Sequence, residues 1–286
     1  MDTQHHLDKV KVRKSFDRAA DTYDASALLQ KEVAKRLVER LDYIRLEPNY
    51  VLDLGCGTGN VTAPMLKRYP KAQIIALDLS LNMLKKTKKH GGWFSKKPCC
   101  VCADAERLPL KEDSIDLLIS SLMLQWSNDL GDVFNGFRQV IAPNGLLMFT
   151  TFGPDTLREI RESWAKVDNQ PHTSQFADMH DIGDALLKAG FSNPVMDMEM
   201  ITTTYGSVRE LMKDIKNIGA SNATAGRSKG LMGKQRLGDF EEAYEAFKND
   251  EGLYPATWEV IYGHAWVPEG LKIDNFERVI PIQAVT

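Results

Sequence analysis

The chain has 286 residues, 43% hydrophobic and 26% charged, with 20 glycines, 12 prolines and a formal net charge of -3. That composition excludes general disorder and collagen-like or proline-rich chains, and a chain this long buries a core without disulfides or metals. No apolar run approaches the roughly 18 residues of a membrane span, and the balanced charge does not ask for nucleic acid. The first residues, MDTQHHLDKVKVRKS, are polar and basic with no apolar stretch, so no secretory signal is read there and a cytoplasmic location is expected.

Taken in chain order, residues 1–46 read as helical, with Leu28, Leu29, Val33, Leu37, Leu41 and Ile44 near helical spacing and charged residues between them. Pro48-Asn49 ends that segment. An alternation follows: strand 50–54, helix 60–68, strand 73–77, helix 81–89, strands 98–103 and 115–120, helix 131–141, and strand 145–152 after the turn Pro143-Asn144-Gly145. Apolar strands separated by helical stretches imply right-handed crossovers and a parallel sheet covered on both faces. Later, 156–166 and 178–189 read as helices, the second stopped by Gly190. Strands are expected at 195–204 and 257–266, and the mainly helical stretch 207–250, which contains SNATAGRSKGLMGK, reads as a lid or cap.

Cys99, Cys100 and Cys102 crowd into PCCVCAD without a paired C-x-x-C or a companion histidine pair at zinc spacing. Adjacent strand side chains diverge, so these are expected as buried, reduced residues and no metal site is expected.

The informative segment is VLDLGCGTG at 51–59. A buried strand runs into a glycine-rich turn and then a helix, which places the turn at the ligand crevice of an open parallel sheet. Gly55, Gly57 and Gly59 give G-x-G-x-G rather than the dinucleotide G-x-G-x-x-G, which weighs against a nicotinamide cofactor. Asp53 precedes the first glycine, Asp78 ends the second strand and Asp104 follows the third. A carboxylate at Asp78 suits a ribose diol, and one at Asp104 suits an adenine amino group. Each acid also has a plainer reading: Asp53 as a brace for the turn, Asp78 as a helix N-terminal acid with Ser80 as the cap, Asp104 as the start of a loop.

Together these residues, with DLLISS at 116–121, resemble class I S-adenosylmethionine-dependent methyltransferases. The resemblance implies a doubly wound, Rossmann-like α/β fold with seven mostly parallel strands, the last inserted antiparallel, and helical cap insertions. It implies S-adenosylmethionine as donor, S-adenosylhomocysteine as product, and further donor contacts from Leu79, Met83, Ala105 and Ser120. A single domain over 1–286 is expected: a cap at 1–46, a cofactor-binding half at 47–153, cap or substrate insertions at 154–175 and 205–250, and the remaining sheet from 178–204 and 256–266.

The flanks narrow this. SFDRAADTYDASALLQ at 15–30, LQWSND at 124–129, FTTFGPDTLREI at 149–160, NATAGRSKGLMGK and WEVIYGHAW resemble the malonyl-acyl-carrier-protein O-methyltransferases of biotin synthesis. That resemblance implies methyl esterification of a malonyl thioester, on acyl carrier protein or coenzyme A, with neither nucleic acid nor membrane as partner. No Asn-Pro-Pro-Tyr motif follows the fourth strand, which disfavours nucleobase methylation. Rivals are another small acid or quinone-like acceptor, and a relative that serves respiratory-complex assembly by modifying arginine.

Arg227 is the candidate grip for the acceptor carboxylate, because a guanidinium holds carboxylate through two bonds; a solvated loop charge is the alternative. Tyr23 is the candidate to shield the sulfonium and orient the acceptor; an aromatic core anchor is the alternative. His172 and His264 are expected to be structural, and Trp126, Trp258 and Trp266 to pack, with Trp126 near the crevice where lining it is the alternative. Lys9, Lys11, Arg13, Lys14 and Arg18, with Arg227, Lys229, Lys234 and Arg236, would form a docking patch for an acidic carrier.

Overall fold

A computed structural model describes residues 6–92, 96–168, 170–220, 222–224 and 233–270. The chain opens with helices α1 (Lys9–Ala19), α2 (Tyr23–Ser26) and α3 (Leu28–Glu39). The alternation then runs β1 (Tyr50–Leu54), α4 (Thr62–Arg68), β2 (Gln73–Asp78), α5 (Leu81–Thr87), β3 (Cys99–Cys102), β4 (Ile115–Ser121), α6 (Leu130–Val140) and β5 (Ile141–Phe152). It closes with α7 (Arg158–Ala165), α8 (Met179–Lys188), β6 (Ser192–Tyr205), α9 (Val208–Asn217), α10 (Lys234–Tyr244) and β7 (Tyr254–Trp266).

The strands form one seven-stranded sheet in the order β3-β2-β1-β4-β5-β7-β6. Neighbours from β3 to β5 are parallel, and β7 runs antiparallel between β5 and β6. The expected architecture, including the inserted antiparallel strand, is what the chain adopts. Order reverses between β1 and β4, which opens a crevice at the carboxyl ends of both strands.

Period-two alternation divides the core into two layers. Val51 and Leu117 face Val33, Leu37, Met65 and Trp164 on one side; Leu52, Leu54 and Leu118 face Phe134, Phe137, Ile182 and Leu186 on the other. Phe149 lies directly across from Gly263, where a Cβ would come within 2.3 Å of its ring. That glycine lets a fully buried phenyl lie flat on its neighbouring strand.

Helix limits follow local chemistry. Ser80, Asp129, Asp178 and Ser207 each accept from a backbone N–H in the first turn of the helix that follows. Gly190, at φ 86, ends α8: its N–H reaches Leu187 O and that of Phe191 reaches Leu186 O, the paired bonds of a glycine C-cap.

Two expectations change. The fifth strand begins at Ile141 rather than Gly145, because Ile141 already pairs with Ile115 before an irregularity in register that includes left-handed Asn144. Cys99 and Cys102 are exposed and Cys100 is half-buried, so the buried reading of these three fails; only Cys56 is buried. The reason is position: β3 is a four-residue edge strand with its outer flank uncovered. Among the described residues no His, Cys, Asp or Glu group has the arrangement of a metal site, and no helix is long and apolar enough to cross a membrane.

Candidate active site

The turn after β1 is built from left-handed backbone: φ is 73 at Gly55, 53 at Gly57 and 99 at Gly59. A Cβ at Gly55 would sit 2.5 Å from Met123 Cγ, so the bare backbone is needed for packing there. At Gly57 a Cβ would meet nothing within 4 Å. That glycine therefore borders open space, and its N–H is turned to the Asp78 carboxylate at 2.9 Å.

Asp78 ends β2 and takes a second backbone N–H, from Ser80, at 2.7 Å. Among the described residues no cation pairs with it, and burial pushes its carboxyl up to about 6 against the pull of those two bonds. Each oxygen keeps a lone pair for further donors. Asp104 lies beyond β3; its Oδ1 accepts from Lys9 Nζ at 3.2 Å and from the Glu106 N–H at 3.1 Å. Its Oδ2 accepts nothing among the described residues. Met83 and Ala105 are buried, and Leu79 is half-buried against Leu7 and Val12, in the segments that follow these acids. An open glycine bend between two acceptor-rich carboxylates fits an adenosyl group, whose diol and amine are donors.

The N-terminal helices roof this bend. Asp17 on α1 accepts from Ser80 Oγ at 2.6 Å and from the Asn82 N–H at 3.3 Å. Asp24 on α2 accepts from Thr58 Oγ1, inside the glycine turn, at 2.7 Å. Lys9 bonds Glu106 as well as Asp104. Tyr23 opens α2; burial, then the charges of Asp78 and Asp24, hold its hydroxyl far above the ordinary phenol range, so it stays protonated.

Beside the roof lies a cavity of about 860 Å³. Phe16, Ala19 and Tyr23 border it on one side, Leu122, Gln125 and Trp126 on another. Phe152, Trp164, Phe176 and Trp258 give it an aromatic lining. Gln125 Nε2 donates to Leu122 O at 2.5 Å, while its buried Oε1 accepts nothing among the described residues.

Known proteins carry the same plan along the whole chain. A methyltransferase-domain family model matches residues 52–149. A malonyl-acyl-carrier-protein O-methyltransferase from Methylovorus sp. (strain MP688) is 50% identical over 282 residues, covering 97% of this chain and 95% of the relative. One from Gallionella capsiferriformans (strain ES-2) is 49% identical over 267 residues, covering 92% of each. The chain belongs to the malonyl-acyl-carrier-protein O-methyltransferase family. Among solved structures, the YcgJ protein of Bacillus subtilis superposes with a TM-score of 0.59 at 14% identity, covering 84% of this chain and 99% of its own; at that identity the likeness is one of fold.

Within this methyltransferase two sequence-derived donor contacts stand one layer back. Asp53 is buried beneath the turn and accepts from Thr62 Oγ1 at 2.5 Å; burial pushes its carboxyl up to about 7. Ser120 is wholly buried and spends its hydroxyl on Leu54 O at 2.9 Å. Both brace the strand ends. Arg227 and Lys229 lie outside the described residues. His264 sits on β7 opposite Met148 and Val195, away from the cavity. His172, expected to be only structural, borders the cavity. The sequence gives no signal for Asp17, Asp24 or Thr58 as ties between roof and donor bend, since each contact joins positions at least 34 apart.

Proposed function

We propose that this chain transfers the methyl group of S-adenosylmethionine to the free carboxylate of malonyl-acyl-carrier protein, or of malonyl-coenzyme A, with S-adenosylhomocysteine as the other product. The reading extends to a cytoplasmic place at the start of pimeloyl-chain synthesis for biotin, with no nucleic acid or membrane as partner. The observation that carries it is 50% and 49% identity, over nearly the full length, with relatives named for that reaction, across flanks as well as core.

In this reading Asp78 receives the ribose hydroxyls and Asp104 Oδ2 the adenine amine, while Gly57 lets the donor approach the backbone. Leu79, Met83 and Ala105 cover the nucleoside, and Asp53 and Ser120 hold the strand ends that shape the bend. The donor, when bound, supplies a methyl on a sulfonium sulfur that departs with the carbon–sulfur electron pair as a carboxylate oxygen takes the carbon, so no proton moves. A general base is accordingly not needed, which agrees with a Tyr23 phenol that stays protonated. Tyr23 serves as ring and hydrogen-bond donor at the border between donor bend and cavity. The aromatic lining excludes water and aligns the acceptor, a contribution of roughly 7–11 kcal/mol in well-oriented systems.

The test is mass spectrometry of malonyl-carrier protein incubated with enzyme and donor. A gain of one methyl group, removed by an esterase, is expected. Donor consumption with arginine, a quinone-like ring or another acid, and none with malonyl-carrier protein, would replace this reading.

A further inference from the structure

The cavity wall formed by α7 and α10 contains a fixed polar cluster. Asp168, just beyond α7, accepts from His172 Nε2 at 2.9 Å through Oδ1. Through Oδ2 it accepts from Arg236 Nε at 3.0 Å and from Arg236 Nη2. The Arg236 bonds, then the Gln170 N–H at 2.7 Å, then His172 hold its carboxyl down to about 2 even though burial opposes them, so it remains ionised. The His172 ring lies flat on Trp164, centroids 3.8 Å apart and planes 7° apart, and Trp164 lies flat on Phe240 at 4.3 Å and 10°. Arg236 and Phe240 are one helical turn apart on α10, so the helix that supplies the end of the stack also delivers the guanidinium.

Arg236 and His172 border the cavity, and Asp168 does not. Asp168 therefore grips the two from behind. Arg236 Nη1 has no partner among the described residues, in a cavity otherwise lined largely by aromatic and aliphatic groups. Of the other cations at the cavity, Lys11 donates to Asn222 O at 2.5 Å, while Arg18, Lys213 and Lys216 are exposed. A half-buried guanidinium with an unused Nη1 at the border of this cavity fits an anionic group on the acceptor.

We infer that Arg236, steadied by Asp168 and the stacked His172, receives the carboxylate of the malonyl acceptor. This rests on the malonyl reading and assigns its recognition to described residues. One carboxylate oxygen is held while the other stays free to attack. Pairing Arg236 with Asp168 also matters for rate: an unneutralised guanidinium would hold the carboxylate tightly in the ground state and blunt its nucleophilicity. Once esterified, the acceptor loses its charge and with it this grip, which favours release of product over rebinding.

The experiment is titration calorimetry of malonyl-pantetheine and acetyl-pantetheine, identical thioesters with and without the carboxylate, into enzyme saturated with S-adenosylhomocysteine. Wild type should prefer the malonyl compound by about tenfold or more, the size expected of a charge-assisted pair. Arg236→Gln should bring the two within about twofold of each other while S-adenosylhomocysteine affinity stays within about twofold of wild type. Arg236→Lys, which keeps the ion pair with Asp168 and so protects the fold, should retain only part of the preference. An undiminished malonyl preference in either variant overturns the assignment, and it leaves the malonyl reading standing if wild type still forms the ester. A wild type that neither prefers the malonyl compound nor esterifies malonyl-carrier protein sinks the acceptor reading itself, and this assignment with it.

Discussion

In the proposed site a single carboxyl, Asp78, couples proton binding to donor binding. Its folded-state value of about 6 lies above the ordinary carboxylate range because burial outweighs two backbone N–H bonds. In the unliganded protein it holds a proton that the unfolded chain has already lost, so its contribution to stability falls as pH rises from the ordinary carboxylate range through about 6. Asp53, raised to about 7 by deeper burial, acts in the same direction over a wider window. A ribose diol donates two hydrogen bonds and so favours the ionised form of Asp78. Donor affinity should therefore rise with pH through about 6 and fall nearly tenfold per unit well below it. Asp78→Asn should weaken the donor about tenfold or more at neutral pH and flatten the acid limb. Calorimetric titration of S-adenosylhomocysteine from about pH 5 to 8 reads both effects; a variant whose acid limb matches wild type would remove Asp78 from the donor site.

The N-terminal helices act as one element because their ties converge on the glycine bend and its neighbouring strand ends. Asp17 reaches the first turn of α5, Lys9 reaches the loop after β3, and Asp24 reaches the turn after β1. In the proposed site the donor lies under them and should leave only when some of these bonds open. Asp17→Ala strips Ser80 Oγ of its acceptor and should cost about 1 kcal/mol of stability, with donor dissociation several-fold faster. Trp126 packs edge-on against Phe16 of α1 at 5.2 Å, so its fluorescence in stopped flow reports roof opening. An unchanged dissociation rate would show that the roof does not gate the donor. The strand-turn-helix rhythm under this roof is legible in the sequence because period-two strands, capping residues and glycines act locally, as at Ser80 and Gly190. The acids at the strand ends are legible for the same reason. The roof's ties, and the Asp168 pairing with Arg236 across 68 positions, depend on tertiary approach and leave no local mark. The exposure of Cys99 and Cys102 is illegible for a related reason: the composition of β3 says strand, but only the strand order makes it an edge.

Across the whole molecule the charge nearly balances at -3, so any attraction for a carrier protein has to come from arrangement. The basic run at the start of the chain is partly consumed: Lys9 by Asp104 and Glu106, Lys11 by a carbonyl, Arg13 by Asp17 at 3.8 Å. Arg236 is turned inward to Asp168. What remains at the cavity mouth among the described residues is exposed Arg18 on α1 with exposed Lys213 and Lys216 on α9. Two helices far apart in the chain thus put like charges around one opening, an arrangement that self-repulsion disfavours unless an acidic partner screens it. Long-range attraction of this kind accelerates encounter, and salt weakens it because the screening length shrinks from about 10 Å at 0.1 M to about 3 Å at 1 M. Raising salt from about 0.05 to 0.5 M should therefore raise KM for malonyl-carrier protein several-fold and leave KM for malonyl-pantetheine nearly unchanged. Reversing Lys213 and Lys216 to Glu together should reproduce the carrier-specific loss at low salt and abolish its further salt dependence. A parallel salt response for both substrates would mean that the mouth charges act on the chemistry or the fold, and the carrier would then dock elsewhere.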